Sequence, residues 1–244
     1  MAVGEVGRRR LPRFASFHGR AGLLLLAALA SPALGLAPGC ADASTRPREI
    51  GYLRHMAFEM PGREWVALRW PRGRMPLRVH LPPPPDGLFE QPEAILDSVR
   101  DGILGWTDAA EPGLPRFVFV DDPGEADIPI VWAEKPQMGT YVAFCSYDVD
   151  VFARRFGVSH ILVTAHWGEG RVADLYDIYA VMLHEMGHAL GMGGHSPDPR
   201  DVMYERVTRM ATEGPSVRDR VTLRALYATP IGARMVGARG NRLR

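Results

Sequence analysis

Only two cysteines, Cys40 and Cys145, occur among the 244 residues, so no disulfide framework can carry the fold. Stability must come from a hydrophobic core, and a chain of this length suffices for one domain. Lysine is nearly missing, with Lys135 alone beside an arginine-dominated set of cations. An excess of either charge is missing as well: the formal net charge is +1. That small positive value comes from one end. Arg8, Arg9, Arg10, Arg13 and Arg20 stand against Glu5 in residues 1–39, which leaves the remainder mildly acidic. Such a remainder gives no electrostatic case for a nucleic-acid partner. No internal repeat is visible, and beyond residues 21–36 no apolar run approaches the length of a transmembrane helix. The chain is 46% hydrophobic and 23% charged, which argues against disorder throughout.

What is present begins with an address. The arginines of residues 8–20 precede an apolar stretch at 21–36 that is broken by Ser31 and Pro32. A positive region followed by a short apolar one has the layout of a secretory signal, and an uncleaved N-terminal anchor is the alternative. Residues 36–40, Leu-Ala-Pro-Gly-Cys, resemble the lipobox of bacterial lipoproteins, although Ala37 stands where Leu is usual. The expectation is a signal peptide over residues 1–39 and a protein exported and lipid-anchored to the cell envelope through Cys40. A cut further upstream, after Ala30, would instead release a soluble secreted product. In the lipoprotein reading the membrane is met only through the anchor at Cys40. Cys145 has no recognisable nucleophile context and reads as a small residue within a strand.

Residues 40–63 lack a sustained period and read as a linker, with the folded domain expected over 64–230 and a loose basic tail over 231–244. Alternation of apolar and polar residues predicts a strand at 75–81, stopped by the prolines at 82–85. Ile95, Leu96, Val99, Ile103 and Leu104 recur at helical spacing and predict a helix over 91–108. Further strands are expected at 116–121, 127–133, 141–147 and 160–165. Helices are expected at 174–190, ended by Gly191, and at 217–227. Several strands around an early helix, then a helical C-terminal part, indicate an α+β or three-layer α/β domain.

The chemistry is concentrated in residues 184–195, His-Glu-Met-Gly-His-Ala-Leu-Gly-Met-Gly-Gly-His. Residues four apart share a helix face, so His184 and His188 can turn their imidazoles to one ion. Glu185 lies one step round, where it can hydrogen-bond a metal-bound water without being a ligand. Gly191 lets the backbone leave the helix and return with His195 as a third ligand. Three protein ligands and an open fourth position is the arrangement of catalytic zinc. Asp198 and Asp201 stand as alternative third ligands.

With Met203 eight residues beyond His195, this segment resembles the metzincins, and within them the matrixin-like peptidases. The resemblance implies a metzincin-like α+β catalytic domain: a twisted, mostly parallel sheet of about five strands, an active-site helix, a Met-turn at Met203 and a C-terminal helix. It implies a monomeric zinc endopeptidase acting on protein or peptide substrates, with His184, His188 and His195 on the metal. Glu185 would be the general base toward a zinc-bound water. The specific match covers residues 183–204. One residue more than the usual count precedes His195, and Gly193-Gly194 can absorb it. Tyr204 follows Met203 directly, whereas metzincins with a tyrosine fifth ligand place it one residue later, so it reads as a packing residue. Matrixins often carry a second zinc or calcium. His160, His166, Asp121, Asp122, Asp148 and Asp150 show no matching pattern and are read as ordinary core, surface or turn residues. A catalytically silent zinc-binding lipoprotein and a zinc amidase acting on cell-wall peptides are the rival functions.

Overall fold

The computed structural model describes residues 51–107, 114–134, 143–167, 171–207, 214–238 and 240–242. All of them belong to the unit Arg46–Arg244. The signal region, Cys40 and the first two residues of the strand expected at 141–147 lie outside the described residues.

Five strands form the principal sheet: β3 (Leu77–His80), β4 (Phe117–Val120), β5 (Ile128–Ala133), β6 (Ala143–Asp150) and β7 (Arg155–Thr164). Their spatial order is β4-β3-β5-β7-β6. The pairs β3–β4, β3–β5 and β5–β7 are parallel, and β6 closes one edge antiparallel to β7. The mostly parallel sheet expected from the sequence is thus present. Parallel neighbours require a crossover, and α1 (Pro92–Leu104) provides it between β3 and β4. Pro92 starts that helix where a missing N–H costs nothing, and Ile95, Val99 and Ile103 form its buried stripe.

The second helix, α2 (Leu175–Ala189), crosses α1 closely. Gly102 permits the approach, because a Cβ there would stand 2.9 Å from the Tyr179 carbonyl. Trp106 Nε1 then donates to the Leu183 carbonyl at 2.7 Å, fixing the register of the two helices. Sheet residues Val79, Ile128, Ile130, Ile161 and Val163 share one core with Ile178, Met182 and Met186 of α2. A third helix, α3 (Val217–Ala228), begins with a Ser216/Asp219 capping box. Its Tyr227 donates to the Leu190 carbonyl at 3.1 Å, at the end of α2.

Two domain boundaries differ from expectation. Residues 51–63 are folded: β1 (Ala57–Met60) pairs antiparallel with β2 (Glu64–Val66), and Met56 and Phe58 are fully buried. The alternation of Met56, Phe58 and Met60 is a strand signal, diluted in the sequence by Arg54, His55 and Glu59. The tail is not loose over its described length either. The Met235 and Gly232 amides donate to the carbonyls of Trp65 and Ala67, and β10 (Gly240–Arg242) pairs parallel with β1. Backbone pairing orders this segment and asks little of its polar side chains, which is why composition suggested otherwise. Strands β6 and β7 are longer than expected and meet as a hairpin, while β8 (His166–Trp167) and β9 (Arg171–Val172) form a short ribbon before α2. Among the described residues no helix is long and apolar enough to cross a membrane.

Candidate metal centre

Asp174 caps α2 by accepting from the Asp177 amide at 2.7 Å, and Asp177 returns the bond to the Asp174 amide at 3.1 Å. From that fixed start the helix runs inward, with every residue from Ala180 to Ala189 buried. His184 and His188, one turn apart, project from one face, with ring centroids 4.8 Å apart. Gly187 sits between them because Trp106 and the Met203 thioether occupy the space a Cβ would need. Gly191 ends the helix at φ +102°, a conformation that glycine alone adopts readily, and passes against the Leu68 carbonyl.

The chain then returns through Gly193 and Gly194 to His195. Its ring is 5.4 Å from that of His184 and 5.0 Å from that of His188. The ligand nitrogens of the three histidines lie within 4.8 Å of one another. Nδ1 of His184 donates to the Val202 carbonyl at 2.7 Å, and Nδ1 of His188 to the Met192 carbonyl at 2.6 Å. A carbonyl can only accept, so both rings carry their proton on Nδ1 and leave the Nε2 lone pair for a cation. Burial pushes the His184 pKa down to about 4 against the pull of the Val202 carbonyl, and drives His188 well below the ordinary histidine range. His195, the most exposed of the three, is also lowered by burial, with Glu205 opposing. Three neutral imidazoles with converging nitrogens are a donor set that fits zinc.

Glu185 is buried beside this cluster without belonging to it. Burial raises its pKa to about 8, with the backbone amide of Cys145 on β6 donating to the carboxylate and pulling the other way. Cys145 is itself pushed well above the usual thiol range by burial and by the Glu185 charge, which favours the inert thiol over the thiolate. The Cys145 amide is directed at Glu185, so β6, the outer strand of the sheet among the described residues, borders the site.

The other sequence candidates fall elsewhere. Asp198 pairs with Arg200 at 2.6 Å and accepts the Arg200 amide, while Asp201 accepts from Ser196, Ser216 and Arg218. Among the described residues neither joins the histidine cluster. Met203 is fully buried under Gly187, and its carbonyl accepts the Ser196 amide at 2.6 Å. Tyr204 is half-buried and bridges Ser196. His166 Nδ1 donates to the Glu134 carbonyl at 2.9 Å, and His160 meets Phe144 edge-on. Asp122 and Asp150 cap local turns through Gly124 and through Phe152 and Ala153. Tyr52 and Asp219, which shape the surroundings of the cluster, escaped sequence reasoning, while Trp106 was read only as one more apolar residue at helical spacing. Asp219 left a trace in the sequence as the fourth residue of a Ser216-x-x-Asp219 cap.

No curated protein matches the chain. A family comparison does find a match: the matrixin model aligns with residues 90–228, which span α1, the strands β4 to β7 of the principal sheet, the histidine cluster, Met203 and α3. That stretch is more than half of the chain and contains the whole cluster, so the protein belongs to the matrixins, zinc-dependent metallopeptidases of the metzincin type that act on peptide substrates.

Proposed function

We propose that the protein is an endopeptidase in which His184, His188 and His195 hold one zinc ion and Glu185 is the general base. The observation that carries this reading is Glu185: a buried carboxyl beside three neutral imidazoles, on the same helix as two of them, and not one of their number. A site that only bound metal would gain nothing from an unpaired acid there, and its burial would carry a cost. When bound, zinc would polarise the scissile carbonyl and acidify a water at the open fourth position. Glu185 would take the proton from the attacking water as its oxygen bonds to the carbonyl carbon. As the C–N bond breaks, the same carboxyl would pass the proton to the leaving amine.

The β6 edge supports substrate alignment. It is the outer strand of the sheet, and the Cys145 amide that reaches Glu185 marks the edge as bordering the site. An extended peptide would add to it as a further strand, held through main-chain hydrogen bonds. The protein acts after export, tethered by lipid at Cys40, with a soluble secreted product as the alternative. The support for this is the arginine-rich and then apolar N-terminus and the lipobox-like residues 36–40.

Cleavage of casein by the purified protein, with and without chelator, tests the activity. Glu185→Ala should retain stoichiometric zinc and lose cleavage. Stoichiometric zinc without cleavage of any unstructured protein would favour a silent binding module, and absence of zinc would overturn the reading.

A further inference from the structure

The family match begins at residue 90, yet residues 51–60 grip the metal centre from two sides. Tyr52 is 2% exposed, and its amide donates to Thr222 Oγ1 of α3 at 2.9 Å. Its phenol donates to Asp219, which is fully buried at the third position of α3. The Asp219 carboxylate also accepts the amides of Val202 at 2.9 Å, Met203 at 3.4 Å and Ser216 at 2.7 Å. Val202 in turn offers its carbonyl to Nδ1 of His184. An unbroken path therefore runs from the Tyr52 hydroxyl through one carboxylate and one peptide unit to the His184 ring.

The second grip falls on the loop that carries His195. The Gly193 amide donates to the Met56 carbonyl at 3.2 Å. The Phe58 ring lies flush under Gly193, where a Cβ would stand 2.8 Å from the ring. Burial and the Asp219 charge hold the Tyr52 phenol far above its ordinary range, so it stays a donor, and the Arg218 guanidinium lies 5.6 Å from the ring centroid. The strap thus touches the turn behind one histidine and the loop bearing another, from a segment that carries no ligand of its own.

We propose that Tyr52 is a positioning residue for the metal centre: its hydrogen bond to Asp219 fixes the Val202–Met203 turn and, through the Val202 carbonyl, the orientation of His184. The inference rests on the reading of His184, His188 and His195 as metal ligands. Removing the hydroxyl leaves the ring in place but frees one acceptor site on Asp219. The turn then gains freedom, and the His184 tautomer and angle are held less firmly. Partners at this remove from a metal act on its affinity and geometry more than on the fold.

The test uses the full-length chain, comparing wild type with Tyr52→Phe and Arg74→Ala. Arg74 pairs with Asp127 beside β3, among contacts remote from the histidines, so its loss serves as a control for stability alone. Three properties are read: zinc release from the folded protein to a chelator, the visible spectrum of the cobalt-substituted protein, and kcat and KM on casein. Tyr52→Phe should release zinc about fivefold faster, less than the tenfold or more contributed by partners bonded directly to a metal ligand, because Tyr52 acts one step further away. Its cobalt band should shift, and kcat should fall with KM unchanged. Arg74→Ala should lose thermal stability while keeping the release rate and spectrum of the wild type. Gly193→Ala, which presses on Phe58 from the other arm, should also speed release. A wild-type release rate and spectrum in Tyr52→Phe would overturn the inference, whatever Gly193→Ala does. A wild type that takes up no metal would overturn the metal-site reading itself, so the two failures are distinguishable.

Discussion

At the scale of single residues, the centre depends on backbone freedom as much as on ligands. Gly191 is the sharpest case. Its φ of +102° is strained for any L side chain, and a Cβ would stand 2.5 Å from the Leu68 carbonyl and 3.1 Å from Arg69 Cα. Both obstacles are backbone atoms, which cannot swing aside. Gly191→Ala should therefore cost about 2 kcal/mol in conformational strain alone. The displaced loop should also carry His195 away from its partners. Chemical denaturation and competition with a metal indicator would detect the two effects separately, and an unchanged affinity would mean that the loop repacks freely. The glycine and all three histidines were legible in the sequence because helical spacing and a helix stop are local properties. Tyr52 and Asp219 were not, since they lie 167 positions apart and nothing local signals their hydrogen bond. The extra residue before His195 was legible as a departure. The contacts that Gly193 makes there, with the Phe58 face and the Met56 carbonyl, required the fold of a segment that the sequence alone presented as linker.

At the scale of elements, α2 depends on its first turn. Asp177 serves the capping box and also pairs with Arg171 at 2.6 Å. Burial alone would raise its pKa, but the Arg171 pair and the Asp174 amide outweigh burial and hold it below the ordinary 3.8. A carboxyl lowered in this way favours the fold in its charged form. Its contribution is complete above pH 3.8 and disappears as the pH falls through the lowered value. Asp177→Asn keeps an acceptor for the Asp174 amide but loses the charge, and should cost about 1 kcal/mol at neutral pH. The difference from wild type should narrow on acidification below pH 3.8, as followed by urea denaturation at several pH values. A gap independent of pH would show that the charge is not what matters. The strands were legible to within a few residues wherever alternation was strong, as in β3. They were misjudged where pairing outweighs pattern, as in β10, whose sequence Gly-Asn-Arg has no strand character.

At the scale of the whole molecule, metal and fold are linked unequally. Two of the three proposed ligands stand on α2, whose residues from Ala180 to Ala189 are all buried in the core. The third arrives on a loop tied down by point contacts: the Met192 carbonyl on His188, the Gly193 amide on Met56, the Phe58 face, the Ser196 amide on the Met203 carbonyl and the Ser196 hydroxyl on Asp201. Metal that binds only the native state stabilises it by mass action, about 4 kcal/mol at a thousandfold excess over Kd. For a domain of this size that is a Tm shift on the order of 10 °C. Stripping the metal should therefore lower Tm by roughly that amount and leave the protein folded at 25 °C, because the core lies outside the loop. Amide hydrogen exchange should then accelerate mainly over residues 191–204, while α1, α2 and the sheet keep their protection. Calorimetry with and without chelator, paired with exchange, would check both parts. If protection were lost across the sheet as well, the metal would be a folding determinant for the whole domain, and the division between a rigid helix and a metal-ordered loop would not hold.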